Sequence, residues 1–508
     1  MSRRTQRSIW TFLSQEFLTI VTLLVAMVAT PLILHWLGDE RFGAFETVAE
    51  WAGYLALLEF GIGEAIQALL ARACSNGDEG AVRQVLFAAL RLYWRVALLM
   101  IAVGGAATAV IAHLIPVGTH YVKDLRVAWL IGVLGTSLLP FSALRILAQV
   151  EQRGYWINTL LVVQWALVTG LSIVLAWLGW GITGQAIAML LGTVVFNLAL
   201  AIAEKARLPG LLKGAIRAAS DKTTQAAISE LRWPGLVFNL CGRFSYLTDN
   251  IIIAYVLSPA VVVPFFITQR LTSIATRELQ AVGGASWAAL TELHNQGKNQ
   301  QFNARLIELT HLVAILAVGG LVPVVAYNHF FVERWVGSSR YGGNALTIIA
   351  AVNALLLATF SLWTWVVNST GQVRSILPIT SSQTILNLSA SIAFTYKFGI
   401  IGPVLGSLVA FCAVSIWWLP LLLAQLFNTK PWELILAFIQ PVLLGVPYGI
   451  SVYVFAARFG AAEWFTMGWQ MSAAAGGYWL VAALILLTKS QRAEWVARIR
   501  LTLTGAVV

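Results

Sequence analysis

WTFLSQEFLTIVTLLVAMVATPLILHWL, residues Trp10–Leu37, is an unbroken apolar run with one acidic residue, Glu16, near its start. As a helix it is long enough to cross a hydrocarbon core of about 30 Å. It is too long for a signal-peptide core and lacks a small-residue cleavage site, so it reads as a first span and not as a removable leader. Runs of the same kind recur along all 508 residues. The chain is 59% hydrophobic and 11% charged, whereas soluble domains carry about 25% charged residues. The fold class that follows is an all-α polytopic membrane protein.

Windows of about 20 residues place spans at 10–37, 45–70, 86–114, 126–148, 158–180, 182–203, 233–257, 260–290, 306–330, 344–368, 376–397, 402–427, 434–457 and 466–488. That is about 14 transmembrane helices. With the N-terminus inside, Arg3, Arg72, Arg153, Lys205, Lys298, Arg305, Arg374, Lys430 and Lys489 all fall in inner segments. The outer segments hold only Arg41, Lys123, Arg126, Arg334, Arg340, Lys397 and Arg458. This asymmetry predicts cytoplasmic N- and C-termini. The net charge of +11 is therefore topology information, not a nucleic-acid-binding face. Cys74, Cys241 and Cys412 and the six histidines are dispersed, with no disulfide or metal spacing.

The chain resembles itself at an offset of about 218 residues. Gly181-Ile182-Thr183-Gly184 matches Gly399-Ile400-Ile401-Gly402, Gly154 matches Gly371, and Leu37-Gly38-Asp39 matches Leu257-Ser258-Pro259 more loosely. Six spans per repeat place both halves in the same orientation. The expected domains are an N-terminal six-helix lobe (1–203), a cytoplasmic linker (204–232), a C-terminal six-helix lobe (233–427), and two further helices with a basic cytoplasmic tail (428–508). Two parallel lobes enclose a central cavity, as alternating-access transporters require. The linker segment 211–228 reads either as a basic amphipathic helix on the inner leaflet or as a solvated connection.

Arginines inside such runs are costly, about 2.5–3.5 kcal/mol each at mid-membrane. Arg91, Arg95 and Arg145 lie within about two turns of cytoplasmic ends, where the side chain snorkels to headgroups. Arg243, Arg270 and Arg277 are different. Asn239, Arg243, Tyr246 and Asn250 share one helix face, and so do Arg270, Ser273 and Arg277. These residues either line a cavity for an anionic cargo or are braced by Asp249 and Glu278. The candidate cargo-binding set is Arg243, Arg270, Arg277, Asn239, Tyr246 and Asn250. Glu50 in the second span and Asp249 in the seventh are candidate ion-coupling residues, for H+ or Na+. Glu59 precedes Gly61-Ile62-Gly63, where a local distortion is expected.

The turn Leu37-Gly38-Asp39-Glu40-Arg41-Phe42-Gly43, the stretch Leu58-Glu59-Phe60-Gly61-Ile62-Gly63, Asp249-Asn250-Ile251-Ile252-Ile253 and the Gly-Ile-x-Gly turns resemble polysaccharide-biosynthesis (O-antigen type) flippases. These belong to the multidrug/oligosaccharidyl-lipid/polysaccharide superfamily. The resemblance implies alternating-access transport of a polyprenyl-pyrophosphate-linked oligosaccharide across the bacterial inner membrane, alongside other polysaccharide-assembly membrane proteins. Fourteen spans exceed the twelve usual in the O-antigen type and approach the lipid II flippases, whose extra pair forms a lipid-tail groove. Arginine forks suit pyrophosphate oxygens through charge-assisted bonds. A cation-coupled multidrug exporter of the same superfamily is the alternative, and would favour an acidic aromatic pocket. A major-facilitator carrier lacks support, because residues 71–78 read ARACSNGD instead of that family's basic, glycine-rich loop. No catalytic constellation, cofactor motif or P-loop is present.

Overall fold

The apolar runs are helices in the computed structural model, which describes residues 3–207, 240–244, 248–461, 463–489 and 492. The expected linker helix and most of the basic tail lie outside the described residues, as do Asn239 and Tyr246. Two units are distinguished, Met1–Val263 and Pro264–Val508. Among the described residues, nine helical stretches are long and apolar enough to cross a membrane, or ten when one bent pair is counted as a span.

In the first unit α1 is Arg3–Leu37, α2 Asp39–Leu55, α3 Ile62–Ser75 and α4 Glu79–Ala107. After these come α5 (Val122–Gly135), α6 (Ser142–Val150), α7 (Gly154–Trp177), α8 (Gly181–Arg207) and α9 (Asp249–Val256). The second span is bent by 54° between α2 and α3. Phe60 and Gly61 at the break have φ of 53° and 70°, so the distortion expected at Gly61 is present. The left-handed region costs an L-residue about 1–2 kcal/mol, a cost that Phe60 bears and Gly61 avoids.

The second unit comprises α10 (Pro259–Thr268, which begins in the first unit), α11 (Arg270–Asn295), α12 (Asn299–Val336), α13 (Asn344–Ser369) and α14 (Val373–Phe398). It continues with α15 (Gly402–Ala410), a π-helical turn at Phe411–Ser415, α16 (Ile416–Phe427), α17 (Pro431–Phe459) and α18 (Trp464–Ile485). The eighth span, read as continuous over 260–290, is instead two helices broken at Gln269. Polar capture explains the break. Asn328 Nδ2 donates to the Thr268 carbonyl at 2.8 Å and to Thr347 Oγ1 at 3.0 Å, and the Gly342 amide donates to Thr268 Oγ1 at 2.7 Å. Thr268, Asn328 and Thr347 are fully buried. With these bonds made elsewhere, the helix does not need its own ladder at that carbonyl.

Hydrophobic burial does not hold lipid-embedded helices together, since lipid is as apolar as leucine. Close approach and interhelical hydrogen bonds do. A methyl group at Gly402 or Gly406 would collide with Thr395 or Ser391, so these glycines set the α14–α15 hairpin. Asn387 Oδ1 accepts from Ser391 on its own helix at 2.9 Å and from Ser407 across the hairpin at 3.3 Å. The two extra C-terminal helices dock on α12 in the same way: Gly445 meets Val318, and Gly319 lies beneath the Trp479 indole. Tyr478 and Tyr448 cross-link that pair through the carbonyls of Pro441 (2.6 Å) and Ala474 (2.7 Å).

The internal repeat has a backbone counterpart. Gly77 and Gly297 follow helix ends with φ of 68° and 70°. The surrounding bonds correspond one for one: Asn76 to Arg72, Gly77 to Cys74 and Asp78 to Ala73 against Gln296 to Glu292, Gly297 to His294 and Lys298 to Leu293. At the turns before α7 and α14 the left-handed residues are Gln152 and Gly371, not Gly154 and Gly371. Gly154 is needed for another reason, because α1 approaches so closely that Thr11 occupies the place of a side chain. Gly181 and Gly399 also share positive φ, 59° and 63°.

Candidate functional site

Gly43, Thr47, Glu50 and Tyr54 recur at i, i+4, i+7 and i+11 on α2 and so form one face. That face meets Arg243, Thr248, Asn250 and Pro259 of the same unit. At its N-terminal end Gly43 abuts the Pro259 carbonyl, leaving no room for a Cβ. At its middle Asn250 Nδ2 donates to Glu50 Oε1 at 2.5 Å. Further in, the Tyr54 and Thr248 hydroxyls lie 2.5 Å apart, and Arg243 Nη1 donates to the Gly53 carbonyl at 2.8 Å. The partners ascend in one segment as they descend in the other, so the two run antiparallel. Glu50 Oε2 and Asn250 Oδ1 are buried and have no hydrogen-bond partner among the described residues.

A second carboxyl group lies at the bend. Glu59 Oε1 accepts the hydroxyl of fully buried Tyr93 at 2.9 Å, tying the end of α2 to α4. At the turn before α7, Arg153 makes a two-pronged bond to Glu204, at 2.7 and 2.8 Å, and a third to Glu151 at 2.9 Å. Burial opposes the guanidinium charge, but these carboxylates outweigh it and hold Arg153 above its ordinary value.

In the second unit Arg270 opens α11, with Ser273 and Arg277 on the same face. Ser273 and Arg277 are exposed, while Arg270 lies 5.9 Å from the Phe266 ring centre. The two guanidinium-bearing positions are about 10 Å apart along the axis, from a rise of 1.5 Å per residue. Arg95 and Arg145 are exposed as well, and Arg145 stands 6.0 Å from the Phe196 ring centre.

The proposed residues thus divide. Asn250, expected to meet cargo, is joined to Glu50, expected to couple ions. Arg243 grips a backbone carbonyl instead of Asp249 or Glu278. Arg270 and Arg277 keep a common face. The reading by charge passed over neutral polar groups such as Tyr54, Thr248, Asn328, Asn387 and the Ser415–Gln383 bond at the π-helical turn (2.5 Å). Their signal was an amide or hydroxyl within an otherwise apolar helix. Among the described residues no group of three or more His, Cys, Asp or Glu side chains is placed to hold a metal ion.

No family model and no curated protein matches this sequence. Solved structures do match in fold. The lipid II flippase MurJ in an inward closed conformation aligns over 94% of this chain and 98% of its own, with TM-score 0.72 at 13% identity. An inward-facing multidrug resistance MATE family transporter of the MOP superfamily aligns over 87% and 99%, with TM-score 0.60 at 16% identity. An outward-facing MATE structure aligns over 82% and 95%, with TM-score 0.59 at 16% identity. The chain therefore has the helical fold seen in transporters of that superfamily. The matches do not separate an O-antigen flippase from its relatives.

Proposed function

We propose that this chain is a flippase that moves a polyprenyl-pyrophosphate-linked oligosaccharide across the bacterial inner membrane by alternating access, for cell-surface polysaccharide such as O-antigen. The observation that carries the reading is the face of α11 on which Arg270, Ser273 and Arg277 lie together, two of them exposed, in a chain otherwise built of apolar helices. Permanent cations are retained in such a chain where they meet water or an anion. The fold shared with a structure titled a lipid II flippase supports the same cargo class. In this reading residues 1–203 and 233–427 are the two moving lobes, 204–232 links them on the cytoplasmic side, and 428–508 adds the two docked helices and tail. Arg243, Asn239 and Tyr246 complete the cargo-facing set, both termini are cytoplasmic, and other polysaccharide-assembly membrane proteins are the partners.

The second reading, a cation-coupled multidrug exporter, draws on the MATE likeness and on the buried carboxyl of Glu50. One experiment separates the two. Arg270→Ala and Arg277→Ala are expressed in cells lacking the native copy, and surface polysaccharide is measured beside membrane levels of the protein. Loss of polysaccharide at normal protein level is the expected result. Normal polysaccharide with raised drug susceptibility in the deletion strain would replace the flippase by the exporter.

A further inference from the structure

The pairing of Glu50 with Asn250 is chemically half complete. One bond, Asn250 Nδ2 to Glu50 Oε1, is made at 2.5 Å. The other oxygen of each group, Glu50 Oε2 and Asn250 Oδ1, is buried with no donor among the described residues. Two acceptors cannot satisfy one another, and a buried acceptor without a donor destabilises the folded state, more so when it is charged. The missing element is a donor hydrogen.

We propose that Glu50 and Asn250 form a proton-binding site, in which a proton taken up by Glu50 Oε2 is donated to Asn250 Oδ1 and closes a second hydrogen bond between α2 and α9. The step is an addition of H+ to a carboxylate, with no bond broken. The terminal torsions of Glu and Asn are broad and soft, so each side chain can turn its free oxygen toward the other. The ionisable groups that face Glu50 are Glu46 and Tyr54 on its own helix and Asp249 on α9. Three carboxyl groups on one seam repel when all are ionised, and a single proton relieves that repulsion while adding a bond. A metal ion fits less well. The amide nitrogen already points a donor at Oε1, and no cluster of three or more metal-ligating side chains lies among the described residues.

The consequence rests on the alternating-access reading. The compact unit Met1–Val263 holds both α2 and α9, while the internal repeat assigns them to different halves; on that assignment alternating access parts their seam in each cycle. Proton binding at Glu50 is then a latch. The protonated pair holds the seam by two bonds, and release of the proton leaves a carboxylate that the seam no longer accommodates.

The test uses the purified full chain in liposomes, without cargo, by infrared difference spectroscopy against pH. Wild-type protein at neutral pH should show the carbonyl stretch of a protonated carboxylic acid that vanishes in Glu50→Gln. Glutamine keeps both hydrogen bonds but cannot titrate. In Asn250→Leu the band should shift to higher frequency, because the acid loses its acceptor. Absence of any band sensitive to Glu50→Gln overturns the proposal, and a carboxylate response to added sodium chloride in that case assigns the site to Na+. Should Glu50→Gln fail to insert, the Asn250→Leu shift decides alone, and an unmoved band overturns the latch. The spectrum does not depend on what is transported. Loss of the flippase reading would leave the band in place, whereas failure of the proton site removes it.

Discussion

Arg153 meets Glu204 edge to edge, with Nη1 on Oε1 at 2.7 Å and Nη2 on Oε2 at 2.8 Å, and both side chains are at least nine-tenths buried. The pair joins the turn before α7 to the C-terminal end of α8. A planar fork on a carboxylate is the geometry in which an ion pair is strongest.

Removing one partner of such a pair leaves a buried charge uncompensated, at a cost of about 3–5 kcal/mol. Arg153→Ala and Glu204→Ala are each expected to lower the melting temperature in detergent sharply. The double replacement Arg153→Met with Glu204→Leu should recover much of the loss. Losses that simply add would show that the two residues act separately.

Asp124 of α5 caps α8. Its carboxylate accepts the amides of Ile182 at 2.8 Å and Thr183 at 2.9 Å, and the Thr183 hydroxyl at 2.5 Å. Asp124→Ala removes an acceptor from unpaired helix-start amides and should cost about 0.5–2 kcal/mol. Asp124→Asn should cost less, since an oxygen remains. Hydrogen exchange at residues 181–184 checks this, with faster exchange expected in the alanine variant.

Gly406 lies against Ser391 so closely that a methyl group has no room. Gly406→Ala should push α14 and α15 apart and cost about 1–3 kcal/mol, the usual range for overpacking. Gly320 of α12 has open space around its Cβ position and serves as the control. Gly320→Ala should therefore hold or raise the melting temperature, since helical Ala is favoured over Gly, and equal losses at both sites would refute the packing argument.

At the bend in the second span, Gly61 has φ of 70°. Gly61→Ala should destabilise by about 1–2 kcal/mol from backbone strain alone. Gly105, an α4 glycine with open surroundings, provides the comparison: its alanine variant should melt at or above the wild-type temperature, because helical Ala is favoured over Gly by about 1 kcal/mol.

Much of this protein is written in its apolar runs. The span read at 344–368 is the helix Asn344–Ser369, and the twelfth, read at 402–427, begins and ends where the helical stretch does. Length against bilayer thickness and the glycines at turns decide such boundaries locally, so one sequence suffices. The distortion at Gly61 and the positive φ at Gly181 and Gly399 belong to the same class. Helix periodicity also put Arg270 and Arg277 on one face. It could not say which helix that face meets. The break at Gln269 depends on Asn328, which lies 60 residues along the chain from Thr268 and takes its carbonyl. The partnership of Glu50 with Asn250 spans 200 residues. It arises because Gly43 lets the Pro259 backbone approach α2, and that close approach sets the register of everything further along the seam. Local spacing determines what each helix presents, whereas only packing between helices decides which polar groups inside an apolar chain find one another.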